Sequence, residues 1–213
     1  MKGGSSPSGT DSFQGRISMK KIALIFTLVS IMLSSCFIPD NYDVTITVHK
    51  DGSYDFAYSG ELNFGPALEA AKEGTYDEDD EANLQDVIID MKNEPGFVSV
   101  KDLGKGKITV GVEMNLDPGK DYYFLSDDLA YFKCVHLENG DMNINGMEIS
   151  EDFIASLSAI ESKMQGTMTV KLAKGLKVKS HNADNKKKIN KKMTAYTWEL
   201  DLNAEKPEIT IRP

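Results

Sequence analysis

The sequence contains few of the residues on which catalytic and metal sites usually depend. It has two cysteines and three histidines among 213 residues. The motifs G-x-S-x-G, G-x-x-x-x-G-K-[ST], G-x-G-x-x-G, H-E-x-x-H and C-x-x-C are all absent. Their absence argues against the common serine hydrolases, nucleotide-binding enzymes, zinc proteases and thiol oxidoreductases. We therefore expect a protein that is not an enzyme and that uses no cofactor.

Basic residues are outnumbered by acidic ones, 24 to 33. The first 35 residues hold four of the basic residues and one of the acidic residues, so the remainder has 20 and 32 and a net charge of −12. Nucleic-acid binding needs a basic surface, and this composition argues against nucleic acid as a partner. It also disfavours broad electrostatic adhesion to anionic lipid.

The one long apolar run lies near the beginning of the chain. Two lysines precede Ile22–Leu33, which has the length of a signal-peptide core and is too short to cross a hydrocarbon layer of about 30 Å. The run ends in Leu33-Ser34-Ser35-Cys36, which resembles the lipobox of bacterial lipoproteins. The resemblance implies cleavage between Ser35 and Cys36 and fatty acylation, palmitate included, at the Cys36 thiol. Such an anchor would hold the protein on the cell membrane or outer membrane, facing outside the cytoplasm.

Two other interpretations of this run stay open: an uncleaved signal anchor, and an ordinary signal peptide that ends at a cysteine by chance. The charged start, the apolar core and the L-S-S-C motif together favour the lipoprotein. We accordingly divide the chain into four parts. Residues 1–18 are a disordered extension or precede the true start at Met19, 19–35 are the signal peptide, 36–41 are a short tether, and 42–213 are a single domain of the cell envelope.

Apolar residues after the tether follow strand and helix periods. Tyr42–Val48 alternates apolar and polar residues and precedes an Asp-Gly turn and a second alternating segment, as in a β-hairpin. Apolar residues at helical spacing between Leu84 and Met91 predict an amphipathic helix, and another helix is predicted after Ser150. The whole pattern predicts an α+β fold: a mostly antiparallel curved sheet of about eight or nine strands in hairpins, covered by about three helices.

Two features of the sequence are candidates for chemical sites. Cys134 and His136 lie two residues apart on a predicted strand and are the best-named nucleophile pair, although such neighbours rarely come within hydrogen-bond distance. A buried structural cysteine is the other interpretation. The acidic run Asp77–Glu81 lacks the spacing of a calcium loop and precedes a predicted helix, where the helix dipole favours acidic residues. We predict no metal site.

A lysine cluster stands out in this acidic chain: Lys186, Lys187, Lys188, Lys191 and Lys192. It is either a solvated loop tip or a patch that contacts the phosphates of lipid headgroups or an acidic partner. On the strand that follows, Tyr196 and Trp198 share one face. They are either core residues or part of a surface that holds an apolar ligand.

The same part of the chain is similar to a known family. The segment Gly175–Ala183 has the pattern G-x-x-V-x-x-x-N-A, and Thr197-Trp198 follows on the next strand. Both resemble the end of the LppM-type lipoprotein domain, and the likeness extends to the lipobox and the opening strand pair. The resemblance implies an α+β envelope domain with lipid or glycolipid contact, and it identifies no catalytic residue.

The leading hypothesis is a membrane-anchored lipoprotein whose non-enzymatic domain binds an envelope protein or a lipid or glycolipid ligand. The alternative is an envelope-polymer hydrolase or transferase, with Cys134 and His136 or an unrecognised set of residues at its centre. A third role, an inert spacer in an envelope assembly, predicts a domain without a concave pocket.

Overall fold

The structure is a computed structural model that describes residues 37–125 and 130–213. In these residues it has three helices and twelve strands, which confirms the predicted α+β class and the mostly antiparallel pairing. The strands are more numerous than the eight or nine expected, and they form two sheets instead of one. Two of the additional strands, Tyr122–Tyr123 and Asn185–Lys188, are too short or too polar to show an apolar alternation. Ser35 and Cys36 lie outside the described residues.

The elements follow one another along the chain as hairpins with helices between them. In order they are β1 Phe37–Val48, β2 Tyr54–Phe64, α1 Gly65–Glu73, α2 Glu78–Asn93, β3 Phe97–Gly104, β4 Lys107–Leu116, β5 Tyr122–Tyr123, β6 Phe132–His136, β7 Met142–Gly146, α3 Glu151–Ala159, β8 Gly166–Ala173, β9 Lys177–His181, β10 Asn185–Lys188, β11 Met193–Leu200 and β12 Glu208–Arg212.

The strands are divided between a larger and a smaller sheet. The larger has seven strands in the order β10-β11-β8-β1-β2-β4-β3, and the smaller has five in the order β5-β6-β7-β12-β9. The hairpins β1–β2, β3–β4, β6–β7 and β10–β11 are antiparallel, whereas β1 and β8 pair in parallel. Because β1 and β8 run in the same direction, both strands finish at the same end of the larger sheet.

Aromatic side chains join the two sheets. Tyr42 on β1 meets Phe132 on β6 edge to face, with ring centroids 5.5 Å apart. Tyr58 on β2 stacks on Phe124, which follows β5, at 4.5 Å. The buried residues of both sheets belong to one hydrophobic cluster. Each buried aromatic ring of this kind stabilises the fold by about 2–3 kcal/mol.

Helix α2 confirms the helix predicted between residues 84 and 91, and its start accounts for the acidic run. The Asp77 carboxylate accepts hydrogen bonds from the backbone N–H groups of Asp79 and Asp80, and the Asp80 carboxylate accepts one from Asp77. This reciprocal arrangement is a capping box. The run Asp77–Glu81 is therefore a helix N-terminus, as the favoured interpretation predicted.

Strand β1 begins earlier than the sequence pattern indicates. Residues 37–41 were predicted as a tether, yet Phe37 pairs with Phe64 and Asp40 pairs with Glu61 across β1 and β2. A bulge between Asp40 and Asp43, with Asn41 at a φ of 46°, breaks the alternation that reveals a strand in sequence. The described part of the tether thus belongs to the folded domain.

The Asp40 carboxylate fixes this first part of β1. It is 8% exposed and accepts hydrogen bonds from the backbone N–H groups of Asn41 at 3.0 Å, Gln165 at 3.2 Å and Lys163 at 3.4 Å. The Asn63 side-chain amide donates a longer one at 3.5 Å. One buried side chain therefore joins β1, β2 and the segment before β8.

Within the described ranges no helix has the length and apolar character required to cross a membrane.

Candidate functional site

The predicted lysine cluster lies on the β10–β11 hairpin, at the edge of the larger sheet. Its strands pair from Asn185 opposite Thr197 to Lys188 opposite Thr194. The turn between them is closed by a hydrogen bond from the backbone N–H of Ile189 to the carbonyl of Met193, at 3.1 Å. The Asn190 side chain supports the turn by accepting a hydrogen bond from the backbone N–H of Lys192 at 2.7 Å.

The connection between β8 and β9 lies directly beside this turn. The backbone N–H of Lys174 donates to the carbonyl of Lys192 at 2.7 Å. Between the two segments is a groove of about 240 Å³, which we call the basic groove. The surface that lines it is more polar than apolar, and its floor includes the apolar residues Leu172, Leu176, Val178, Met193 and Tyr196. Four lysines line it: Lys174, Lys188, Lys191 and Lys192.

Tyr196 connects the lysines to the core. Its side chain is 3% exposed. The Lys186 ammonium lies 5.1 Å from the centroid of the Tyr196 ring, within the range of a cation–π contact. The His181 ring meets the same tyrosine edge to face at 4.8 Å. Tyr196 is thus held as part of the groove floor.

Two of the predicted contact residues point elsewhere. Lys187 pairs with Ala195, so it lies on the face of β10 opposite to that of Lys186 and Lys188. Trp198 is 2% exposed, and its indole N–H donates to the Asn182 side-chain oxygen at 2.8 Å. The burial of Trp198 favours its interpretation as a core residue over its interpretation as a ligand contact.

Asn182 is the asparagine of the G-x-x-V-x-x-x-N-A segment. Its side-chain oxygen also accepts a hydrogen bond from the backbone N–H of Glu208 at 2.9 Å, and its amide donates to the carbonyl of Lys206 at 2.8 Å. Asn182 therefore ties Trp198 in the larger sheet to the beginning of β12 in the smaller one. The asparagine of this segment and the tryptophan of the strand that follows are thus joined by a hydrogen bond.

Charge is concentrated around the basic groove. Residues 171–192 contain nine of the 20 basic residues found from residue 36 onward, and one acidic residue, Asp184. The rest of that region has 11 basic and 31 acidic residues, a net charge of −20. The groove is thus a cationic area on a strongly anionic protein, and such contrast steers an anionic ligand toward it.

The arrangement suits an amphipathic anion. Ammonium groups bind phosphate or carboxylate oxygens as mobile point charges, and the apolar residues of the floor take hydrocarbon. Ile189, at the tip of the hairpin turn, is 46% exposed between the lysines. A large apolar side chain surrounded by ammonium groups is typical of segments that enter the interfacial layer of a membrane.

The predicted nucleophile pair, Cys134 and His136, does not have the geometry of a nucleophilic site. Cys134 is fully buried, and burial, with a smaller contribution from Asp121, raises the pKa of its thiol far above the usual range. His136 is held by Asp121, whose carboxylate oxygen lies 3.2 Å from the His136 Nδ1 and accepts the His136 backbone N–H at 2.7 Å. A thiol that is covered and protonated is inert. Cys134 is therefore a structural residue.

No group of three or more His, Cys, Asp or Glu side chains in residues 37–125 and 130–213 is placed to hold a metal ion. Another depression of about 300 Å³ beside Trp198 is lined by Asp184, Glu199, Asp201 and Glu205. Its charge is opposite to that of the basic groove, which leaves the basic groove as the candidate for an anionic ligand.

The sequence prediction found part of this site. Lys188, Lys191, Lys192 and Tyr196 come together as a lysine loop beside an aromatic strand. Lys174 was missed, because it precedes Lys188 by 14 residues and only the pairing of β8 with β11 brings it beside the basic groove. A run of lysines at alternate and third positions from Lys171 to Lys179 was the available signal.

Comparisons with known proteins found structural similarity without similarity in sequence. No family model matches the sequence, and no curated protein matches it. Among solved structures, the folded domain of the LppM protein of Mycobacterium tuberculosis is similar over 83% of this chain and 90% of that one, with 12% identity and a TM-score of 0.37. The likeness is distant and does not bear on what the basic groove binds.

Proposed function

We propose that this protein is a lipoprotein held on a membrane by a lipid on Cys36, outside the cytoplasm, and that its domain binds the headgroup of an anionic envelope lipid in the basic groove. The protein acts by binding and not by catalysis. The observation that supports the binding step most directly is the position of four lysines around one groove on a chain that is otherwise strongly acidic.

The anchor is supported by the lipobox and by the fold that follows it. Cys36 is joined by one peptide bond to a strand whose first residues are buried, so the acylated residue would sit directly against the domain. Two or three acyl chains hold a protein on a bilayer almost permanently, because each buried methylene contributes about 0.8 kcal/mol. Mass spectrometry of the protein extracted from bacterial membranes tests this. We expect a mature N-terminus at Cys36 with a thioether-linked lipid, and an unprocessed chain for Cys36→Ser.

Headgroup binding is tested with the full-length protein in neutral detergent. Titration with a soluble short-chain phosphatidylglycerol, followed by calorimetry, should give saturable binding that weakens as salt is added, since the contact is electrostatic. Short-chain phosphatidylcholine should bind much more weakly. Inorganic phosphate as a competitor distinguishes recognition of the phosphate alone from recognition of the lipid.

Matched triple variants locate the site. Lys188→Gln, Lys191→Gln and Lys192→Gln together should weaken phosphatidylglycerol binding by about 100-fold, since each lysine near such a surface contributes about 1 kcal/mol. Lys101→Gln, Lys105→Gln and Lys107→Gln remove the same charge from exposed positions on the β3–β4 hairpin and should change affinity less than about threefold. Equal losses in both variants would show that net charge, and not the groove, attracts the lipid.

A further inference from the structure

The basic groove and the first residue of β1 lie at opposite ends of the larger sheet. Val48, at the end of β1, is opposite Leu172 of the parallel strand β8. Ala173, the next residue on β8, is opposite Met193 of β11. The groove therefore lies at the end of β1 that is farthest from Phe37. Strand β1 has 12 residues, and a rise of about 3.3 Å from each residue to the next separates its first and last Cα atoms by about 35 Å.

The connection to the proposed anchor has no slack. Phe37 and Ile38 are each 6% exposed, and the Phe37 ring lies 5.3 Å from that of Phe64. Consecutive Cα atoms lie about 3.8 Å apart across a trans peptide bond. A lipid on Cys36 would consequently keep the Phe37 end of the sheet at the bilayer surface.

The groove reaches the same leaflet only if the sheet lies along the membrane. That orientation would press the sides of the domain against the headgroups. The chain from residue 36 onward has a net charge of −20 outside residues 171–192, and anionic headgroups repel such an excess of acidic residues. With the sheet upright, the acidic sides stay in water and the lysines at the far end project away from the anchoring leaflet.

The far end has the composition of a membrane-contact surface. Ile189 is 46% exposed at the tip of the turn, and Lys188, Lys191 and Lys192 are exposed around it. A soluble polyanion would be bound by the ammonium groups alone. The exposed Ile189 side chain favours a bilayer, in which an aliphatic side chain can enter below the phosphates.

We propose that the hairpin tip at Ile189 and the basic groove dock on an anionic bilayer surface other than the leaflet that holds Cys36. The protein then bridges two membrane surfaces, with its contact points about 35 Å apart. This inference rests on the proposed lipid anchor and headgroup site, and it adds the direction in which that site faces.

A vesicle-bridging experiment tests the direction. Purified full-length lipidated protein is inserted into phosphatidylcholine vesicles, and fluorescent vesicles that contain phosphatidylglycerol are added. We expect the two populations to cluster in low salt and to separate in high salt. Cryo-electron micrographs of the clusters should show a gap of about 35–40 Å between apposed bilayers, set by the length of the sheet.

Variants separate the contributions at the two ends. The Lys188, Lys191 and Lys192 triple glutamine variant should abolish clustering, and Ile189→Ser should slow it by roughly tenfold, because an aliphatic side chain no longer enters the interface. The Lys101, Lys105 and Lys107 variant should cluster normally. Adding phosphatidylglycerol to the anchoring vesicles should not inhibit clustering.

The outcomes distinguish this inference from the proposed function. Two results would overturn the bridging role and leave the headgroup site intact. The first is phosphatidylglycerol binding in detergent without clustering of vesicles. The second is clustering that is abolished by phosphatidylglycerol in the anchoring vesicles. Failure in both assays would overturn the two together. Binding of soluble polyphosphate with no binding of anionic vesicles would show that the partner is a polymer and not a bilayer.

Discussion

The two ends of the seven-stranded sheet are built differently. At the Phe37 end, a buried carboxylate joins three segments and the strand begins inside the core. At the Lys188 end, the backbone forms a compact turn, yet the side chains stand in solvent around a groove. The Phe37 end contributes to stability, and the Lys188 end presents exposed side chains around a groove. Substitutions at the first should therefore change unfolding, and substitutions at the second should change binding.

The largest expected effect is a loss of stability at high pH, which involves buried tyrosines of β1 and β2. Burial raises the pKa values of Tyr42, Tyr54 and Tyr58 well above their usual range. Because these folded values exceed the unfolded value of about 10, stability is complete below about pH 10 and is lost as the pH rises above it, since only the unfolded chain releases these protons. Three tyrosines should lower the free energy of unfolding by about 4 kcal/mol at about pH 11.

Ultraviolet absorbance of tyrosinate and far-ultraviolet circular dichroism, recorded along one pH titration, check this. Ionisation of the buried tyrosines and loss of strand signal should occur together. Complete ionisation at about pH 10 in a chain that keeps its strand signal would show that the rings are accessible.

The next effect is confined to the Phe37 end. Asp40→Ala leaves buried N–H donors of Gln165 and Lys163 without their acceptor, which should cost about 3 kcal/mol of unfolding free energy in urea. Asp43→Ala is the matched control, because Asp43 lies on the same strand and is exposed. The control should lose less than about 1 kcal/mol. Equal losses would mean that any acidic residue on β1 has this role.

A smaller loss is expected at the junction of the two sheets. Asn182→Ala leaves the Trp198 indole N–H and the Glu208 backbone N–H without acceptors, and it should cost about 2 kcal/mol in the same assay. Asn185→Ala, at an exposed position of β10, should change the unfolding free energy by less than about 0.5 kcal/mol. Tryptophan fluorescence would report the change around Trp198 directly.

The smallest effect on stability belongs to the Lys188 end. The triple glutamine variant at Lys188, Lys191 and Lys192 should unfold within about 0.5 kcal/mol of the natural chain, because the lysines are exposed and repel one another. A loss comparable to that of Asp40→Ala would contradict the division of roles between the two ends. Differential scanning calorimetry of all five variants, the two controls included, provides a common scale.

Local patterns predicted the local structure well. The Asp-Gly turn after Val48, the helical spacing from Leu84 to Met91 and the N-cap at Ser150 each produced the expected element. All three depend on residues within one or two turns of chain. The parallel pairing of β1 with β8 does not, because more than 100 residues separate the strands, and no local signal encodes that contact.

The site was predicted in part for the same reason. The lysines of the hairpin are adjacent in sequence and were found, whereas the groove exists only because β8 brings Lys174 beside the turn. The start of β1 was wrong because the bulge at Asn41 interrupts its alternation. Trp198 was ambiguous in sequence, and its burial depends on Asn182, which approaches from the other sheet.

The absence of slack before Phe37 has a consequence for how far the protein can reach. A lipoprotein with a long flexible linker explores a hemisphere above its membrane, and its range varies with the linker. Strand β1 starts at Phe37, so with the proposed lipid on Cys36 the domain would hold its two ends at a fixed distance. Residues inserted before Phe37 would act as a flexible linker. The domain could then tilt, and the lysines could reach the leaflet that holds the proposed lipid.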